Sequence, residues 1–294
     1  MSEVGFIGLG HMGSVLASNL AAAGFSVVAH DVGGPAKCPD GCAWAGGADE
    51  VAARAGTVVF SLPDGRASEA VARSVSAATD LRTTHVIDTS TVGVRAAESV
   101  CSLLGQAGIA YVDAPVSGGV AGARARTLMV MYAGGQAECD HVEAVLRGLS
   151  DRRQRVGERP GMAQALKLAN NFLSASALAA TSEAISFGLS VGLDMATMLQ
   201  VLNAASGQSQ ATTDKFPNHV LTGRYASGFA NSLMSKDVRL YKEEVRARRG
   251  PDSIATVTDD VWTRFADAEP GVDFTRIFPY VAEGEIGRVG GAGD

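Results

Sequence analysis

The segment AQALKLANNFLSASALAATSEA, residues 163–184, reads as a long helix of small and apolar side chains, yet it carries Lys167, Asn170 and Asn171. No other Lys or Arg occurs between Arg159 and Lys215. An ammonium group in an interior setting is costly unless it is paired or neutralised. At positions i, i+3 and i+4, the three polar groups share one face of a helix. One reading has Lys167 near the helix start, its stem buried and its head in water. The other makes it a proton exchanger: partial desolvation and nearby positive charge disfavour the charged form, so the group can give and take a proton near neutral pH. Asn171, one turn on, would then orient the lysine or a substrate.

A constellation near the start of the chain supplies a reason for such a group. In FIGLGHMGSVLASNLAAAGFSVVAHD, Gly8, Gly10 and Gly13 have the spacing G-x-G-x-x-G, after a strand-like run and at the opening of a helix-like one. Gly8 allows a tight turn, Gly10 lets the backbone approach a pyrophosphate, and Gly13 lets helix and strand pack closely; the helix N-terminus offers amide donors to the anion. Gly8, Leu9, Gly10, His11, Met12 and Gly13 are thus the expected cofactor cradle, with His11 a solvated side chain rather than a catalytic one. Asp31 follows Gly8 by 23 residues, at the end of the next strand-like run. A carboxylate there accepts from the adenosine ribose hydroxyls and repels a 2′-phosphate. No arginine follows closely, and Lys37 is the nearest cation. The expected cofactor is NAD rather than NADP, and a cationic nicotinamide beside Lys167 would further disfavour its ammonium form. A third polar cluster, DAPVSGG at 113–119, follows a strand-like run; its Ser117 hydroxyl and the Gly118 and Gly119 amides could form a nest for a carboxylate.

These groups need a scaffold. VGFIGL, FSVVAHD, TVVFSLP, THVIDTS, AYVDAP and TLMVMYAGG read as strands, with helix-like segments such as EAVARSVSA and VRAAESVCSLLGQAG between several of them. That alternation predicts βαβ units in a doubly wound, mainly parallel sheet. From Gly161 onward the period is helical, with an Asp194 cap before MATMLQVLN and turns at SGQS, TGRYASG and RRGPDS. The expected architecture is α/β: a Rossmann dinucleotide-binding domain over 1–160, then an all-α domain over 161–294 that opens with a long interdomain helix and provides substrate and oligomer contacts. The glycine-rich end, GRVGGAGD, reads as a frayed tail.

Composition narrows the function classes. The 294 residues are 46% hydrophobic and 19% charged, with a formal net charge of −6. That balance gives no electrostatic reason to expect nucleic acid or an anionic membrane as partner. The first strand-like run begins at Val4, which leaves no room for a secretory leader. Lys167, Asn170, Asn171 and Glu183 interrupt the apolar stretch after Gly161, which reads as a buried helix rather than a membrane span. Cys38, Cys42, Cys101 and Cys139 lack metal-ligand spacing; reduced thiols, a cytoplasmic location and no metal are expected.

Taken together, the motifs resemble the β-hydroxyacid dehydrogenase family, which includes 3-hydroxyisobutyrate dehydrogenases and tartronate semialdehyde reductases. GFIGLGHMGSVLASNL is similar to that family's N-terminal fingerprint, SLP (61–63) to its adenosine-side loop and DTST (88–91) to a segment near the nicotinamide. DAPVSGGVAGARARTLMVMYAGG resembles the substrate segment, GMAQALKLANN the catalytic helix and FANSLMSKDVRL (229–240) a cofactor-closing segment. The resemblance runs from residue 4 to about 242. It implies an oxidoreductase moving hydride reversibly between a small β-hydroxy acid and its aldehyde or ketone. Lys167 would be the general acid/base, Asn171 its partner, and Ser117, Gly118, Gly119 and Asn170 substrate ligands. Leu62, Pro63, Thr91, Phe229 and Lys236 would serve the cofactor. Asp237 would be a structural ion-pair or capping residue, and Glu183 a packing or interface carboxylate. A homodimer or homotetramer built through the helical domain is also implied.

The sequence departs from the family pattern at several positions. Before the lysine it reads GERPGMAQALK, with Ala163 where the last glycine of a G-x-x-G-x-G turn would stand and Gly157 one place early. VGV after Thr91 lacks the family's proline. Arg126 replaces a common glycine, either as a surface residue at a strand start or as an extra cation near the site. Two rival enzymes share the architecture: imine reductases, which typically replace the lysine, and phosphogluconate dehydrogenases, which usually have histidine where this chain has Asn170. A non-catalytic NAD-binding or sensing protein would need Gly8, Gly10, Gly13 and Asp31 but neither Lys167 nor Ser117.

Overall fold

The computed structural model describes residues 3–284, which form two compact units, the first ending at Lys167 and the second beginning at Leu168. In the first unit the strands are β1 (Val4–Ile7), β2 (Val27–His30), β3 (Cys42–Trp44), β4 (Thr57–Phe60), β5 (His85–Asp88), β6 (Ala110–Asp113), β7 (Val116–Ser117), β8 (Met129–Ala133) and β9 (Arg152–Gly157). Between them lie α1 (Gly13–Ala22), α2 (Ala48–Arg54), α3 (Gly65–Ser76), α4 (Val94–Gln106), α5 (Gly119–Arg124) and α6 (Gln136–Leu149). The order β3-β2-β1-β4-β5-β6 is parallel throughout, the doubly wound dinucleotide-binding arrangement. β8 joins antiparallel to β6 and β7, and β9 then pairs parallel to β8.

The strands are continuous apolar runs because both faces of the sheet are covered. Phe6, Val59, Ile87 and Val112 point to one face, where they meet Leu16 and Leu20 of α1 and Val142 and Leu146 of α6. Their neighbours Ile7, Val58, Phe60, Val86 and Tyr111 point to the other, against Val51 of α2, Val75 of α3 and Val100 and Leu104 of α4. Successive side chains of a strand alternate in direction, so one run of residues feeds two cores. Cys38, Cys42, Cys101 and Cys139 are free thiols.

The second unit is helical: α7 (Met162–Ser190), which begins in the first unit, then α8 (Met195–Asn203), α9 (Asn231–Ala247), α10 (Ser253–Ala268) and α11 (Ile277–Gly284). The Asp194 carboxylate caps α8 by accepting from Thr197 N at 2.8 Å, as the sequence predicts. Although α7 has the length and composition to cross a bilayer, its Ala175, Leu178, Ala179 and Ile185 lie in the unit's core beside Trp262 and Phe265. The Trp262 indole donates to Ala175 O at 3.2 Å. The first turn of α7 belongs to the first unit because Ala163 packs on Met131 and Ala133 of β8. The methyl group at this glycine-to-alanine departure therefore faces the sheet.

Arg126 has a structural place. Its backbone is left-handed, with φ of 58°, a conformation that favours glycine. Its guanidinium donates to Gly148 O at 2.8 Å, to Arg147 O at 2.9 Å and to Asp151 Oδ1 at 3.0 Å. A cation bonded to the last carbonyls of α6 is stabilising there. Replacing Arg126 with Ala keeps the backbone strain and removes these bonds, so urea unfolding is expected to show a loss of about 1–3 kcal/mol. Arg126→Gly, which relieves the strain, should lose less, and neither change should alter turnover in the folded protein.

Candidate active site

The phosphate-loop glycines hold three different positions. Gly8 has φ of 97°, and a Cβ there would lie 2.3 Å from Ser61 O; a Cβ at Gly13 would lie 2.0 Å from Gly8 O. Gly10 faces open space, with no atom within 4 Å of where its Cβ would be. Two glycines thus close the turn against the end of β4, and the third leaves room for a ligand to meet the backbone. No side chain caps the N-terminus of α1 and no acidic residue lies in its first turn, which suits an anion. Asp31 is fixed at the end of β2 by two backbone donors, Leu9 N at 2.6 Å and Gly33 N at 2.7 Å. His11 is exposed and Met12 half-buried. The dinucleotide fits this donor set: Gly10 and the α1 terminus would hold the pyrophosphate, and Asp31 the ribose.

The loops after the next strands are tied to one another. Leu62 N donates to Ser90 Oγ at 2.7 Å, beside the exposed Pro63. Ser90 N donates to the Asp88 carboxylate at 2.9 Å, and the Tyr111 hydroxyl reaches the same carboxylate at 3.3 Å. Thr91 is half-buried and follows directly. Ser117 ends β7, opposite Met129 of β8, and Gly118 and Gly119 take φ of 131° and 67° at the start of α5.

Lys167 closes the first unit and is 6% exposed. It is not the only buried polar side chain on its face of α7, because Gln164 lies one turn before it. The Gln164 Oε1 accepts from Val92 N at 3.0 Å and Gly93 N at 3.2 Å, while Nε2 donates to Ser90 O at 3.0 Å. Gln164 N donates to Asp113 Oδ2 at 3.0 Å. Sequence reasoning missed Gln164; a polar residue three before Lys167, in phase with it, was the available signal.

In the second unit, Asn171 is buried one turn beyond Lys167 on the same helix. Asn170 Nδ2 donates to Asn171 Oδ1 at 3.0 Å, and Asn171 Nδ2 donates to Asp237 Oδ2 at 2.6 Å. Lys236 lies 3.0 Å from Asp237 Oδ1. Asp237 is thus an ion-pair residue, and also the group that orients Asn171. Phe229 packs edge-on to Phe274. Glu183 is exposed. Among the described residues, no group of three or more His, Cys, Asp or Glu side chains could hold a metal.

Two family models match the chain: the NAD-binding domain of 6-phosphogluconate dehydrogenase over residues 3–157, and the NAD-binding domain of NADP-dependent 3-hydroxyisobutyrate dehydrogenase over 161–281. The chain belongs to the β-hydroxyacid dehydrogenase family. It is 31% identical over 288 residues to the mitochondrial 3-hydroxyisobutyrate dehydrogenase of Drosophila melanogaster, covering 94% of this chain and 88% of that one. It is 32% identical over 246 residues to 2-(hydroxymethyl)glutarate dehydrogenase of Eubacterium barkeri, covering 82% and 81%. A structure of Mycobacterium tuberculosis 3-hydroxyisobutyrate dehydrogenase with L-serine superposes with a TM-score of 0.87 at 29% identity, over 96% of this chain and 99% of that one. A Streptomyces aurantiacus imine reductase, 18% identical with a TM-score of 0.63 over 95% and 99% of the two chains, shares the fold alone.

Asp88 and Asp113 are partners across β5 and β6, and both are fully buried. Burial pushes the Asp113 carboxyl up to about 7, against the backbone donors of Gln164 and Gly161, and the Asp88 charge adds to the rise. Burial raises Asp88 as well. The unfolded chain releases the Asp113 proton near 3.8, so between that pH and about 7 the folded state binds the extra proton. The stability this group contributes is lost as pH rises across that window. Asp113→Asn removes the titration. Its stability relative to wild type, followed by urea unfolding, should rise from pH 4 to pH 7 and level off above.

Proposed function

We propose that this dehydrogenase oxidises a small β-hydroxy acid, reversibly, with NAD in preference to NADP. The observation that carries this is Lys167, a buried lysine on α7 whose neutral amine can accept a proton, with Gln164 and Asn171 one turn to either side. Nicotinamide, when bound, would supply the hydride acceptor for the carbinol carbon. Lys167 Nζ takes the proton from the β-hydroxyl as that carbon becomes a carbonyl, and returns it in the reverse direction. Ser117 and the Gly118 and Gly119 amides hold the substrate carboxylate, which sets the reacting carbon in place. Asn171, oriented by Asp237, binds the substrate beside the lysine, with Asn170 next to it. Gly8 to Gly13, Leu62, Pro63, Thr91, Phe229 and Lys236 are assigned to the cofactor. The Asp31 carboxylate, held by Leu9 N and Gly33 N, supports NAD because a 2′-phosphate would meet its charge.

The test is NAD⁺ reduction, followed by absorbance, with 3-hydroxyisobutyrate, glycerate, serine and threonine, and NADP⁺ in parallel. Turnover with at least one of these and NAD⁺ is expected, and Lys167→Ala should lower it by about 10²–10⁴-fold while NAD⁺ still binds. Reduction of cyclic imines with silence on the whole panel would overturn the lysine's role. Binding of NAD⁺ with no turnover of any kind would favour a sensing protein.

We also infer a homo-oligomer in the cytoplasm, assembled through α7. Leu173, Ala180 and Phe187 recur at seven-residue spacing on its exposed side, a seam that fits a second helix. Light scattering should give a dimer or tetramer, and Leu173→Glu with Phe187→Glu should reduce it to monomer; a monomeric wild type would refute the inference.

A further inference from the structure

Gln164 is fully buried on α7, three residues before Lys167 and therefore on the same face. Its side-chain amide grips the residues on both sides of Thr91: it donates to the carbonyl of Ser90 and accepts from the amides of Val92 and Gly93. Its backbone N–H holds the Asp113 carboxylate, at the start of the segment that leads to Ser117. One residue thus fastens the nicotinamide-side loop and the substrate segment to the helix turn that carries the lysine.

We propose that Gln164 is a positioning residue for hydride transfer, setting Lys167 against the Thr91 loop. This rests on Lys167 being the general acid/base. The chemistry of the side chain makes the idea specific. A neutral amide both donates to Ser90 O and accepts from two backbone N–H groups. Leucine leaves three buried backbone groups without partners. An ionised glutamate accepts but cannot donate, and its charge would oppose Ser90 O. A protonated glutamate restores the donor. The titratable groups on the elements around this position are Asp88 at the end of β5, Asp113 and Tyr111 on β6, Cys101 and Glu98 on α4, and Lys167 on its own helix. Burial favours the neutral form of the glutamate.

The experiment compares wild type, Gln164→Glu, Gln164→Leu and Lys167→Ala by kcat, KM, the NAD⁺ dissociation constant from calorimetry, and thermal unfolding without cofactor. A misplacement of about 1 Å can cost about 10²-fold in rate, so Gln164→Leu should lower kcat by about that factor. Its NAD⁺ dissociation constant should stay within about threefold, since the phosphate loop and Asp31 are untouched. For Gln164→Glu, the ratio of its kcat/KM to that of wild type should climb as pH falls from 9 to 6, a recovery that leucine cannot make. Should Gln164→Leu fail to fold, the glutamate pH profile alone decides. If both Gln164 variants keep wild-type kcat while Lys167→Ala is inactive, or if the glutamate ratio is flat with pH, Gln164 is only a packing residue and the proposal falls. If Lys167→Ala keeps wild-type turnover, the lysine reading falls first and takes the proposal with it.

Discussion

At the end of β1 the chain passes so close to the end of β4 that only glycine fits. The Gly8 and Gly13 positions leave no space for a methyl group, and what blocks them is backbone, which cannot move aside as a side chain can. The rest of the first unit's working edge depends on this contact. It turns the N-terminus of α1 toward the strand ends, and it places Leu9 N against Asp31. From there the crest of the sheet is tied together strand by strand. Ser61 N donates to Ile7 O, Leu62 N to Ser90 Oγ, Ala114 N to Asp88 O, and Gln164 N to Asp113. A parallel sheet leaves its strand ends without ladder partners at this edge, and these bonds satisfy them. The helix that carries Lys167 is the last member of the chain of contacts.

This edge buries two carboxyl groups side by side, Asp88 and Asp113. Paired cations are the usual answer to buried acids, but here burial favours the neutral form. A protonated acid can sit behind a site without projecting negative charge into it. In the proposed reaction that matters, because an ionised pair at Asp88 and Asp113 would oppose a substrate carboxylate held near Ser117.

What the sequence made legible follows from the range of the interactions. The G-x-G-x-x-G turn, Asp31 and the Lys167 face are local patterns, fixed by turn geometry or helical period, and the parallel sheet follows from apolar runs alternating with helices. The strand β9 carries Arg152, Arg153 and Arg155 in its six residues, so its apolar signal is absent. Gln164 meets its partners across 51 to 74 residues and Asn171 meets Asp237 across 66, and no local pattern encodes such pairings. Arg126 could be read either way until the end of α6 was placed beside it. Its left-handed backbone explains why glycine suits that position, and its three hydrogen bonds explain how arginine is tolerated there.

The likeness to imine reductases separates what the scaffold decides from what the side chains decide. A sheet edge with a glycine turn and a helix terminus can hold a dinucleotide for many reactions, so the fold alone leaves the substrate open. Reducing a C=N bond and oxidising a C–OH bond differ in where the proton must go. An alcohol must lose its hydroxyl proton as hydride departs, which requires a base close to that oxygen. An iminium already carries its proton, so a buried lysine in that place would set one positive charge against another. The roles proposed for Lys167, Ser117 and the two glycine amides meet the demands of a hydroxy acid and suit a cationic imine poorly. In the proposed reaction, the polar face that interrupts an apolar helix is therefore the feature that separates the two chemistries.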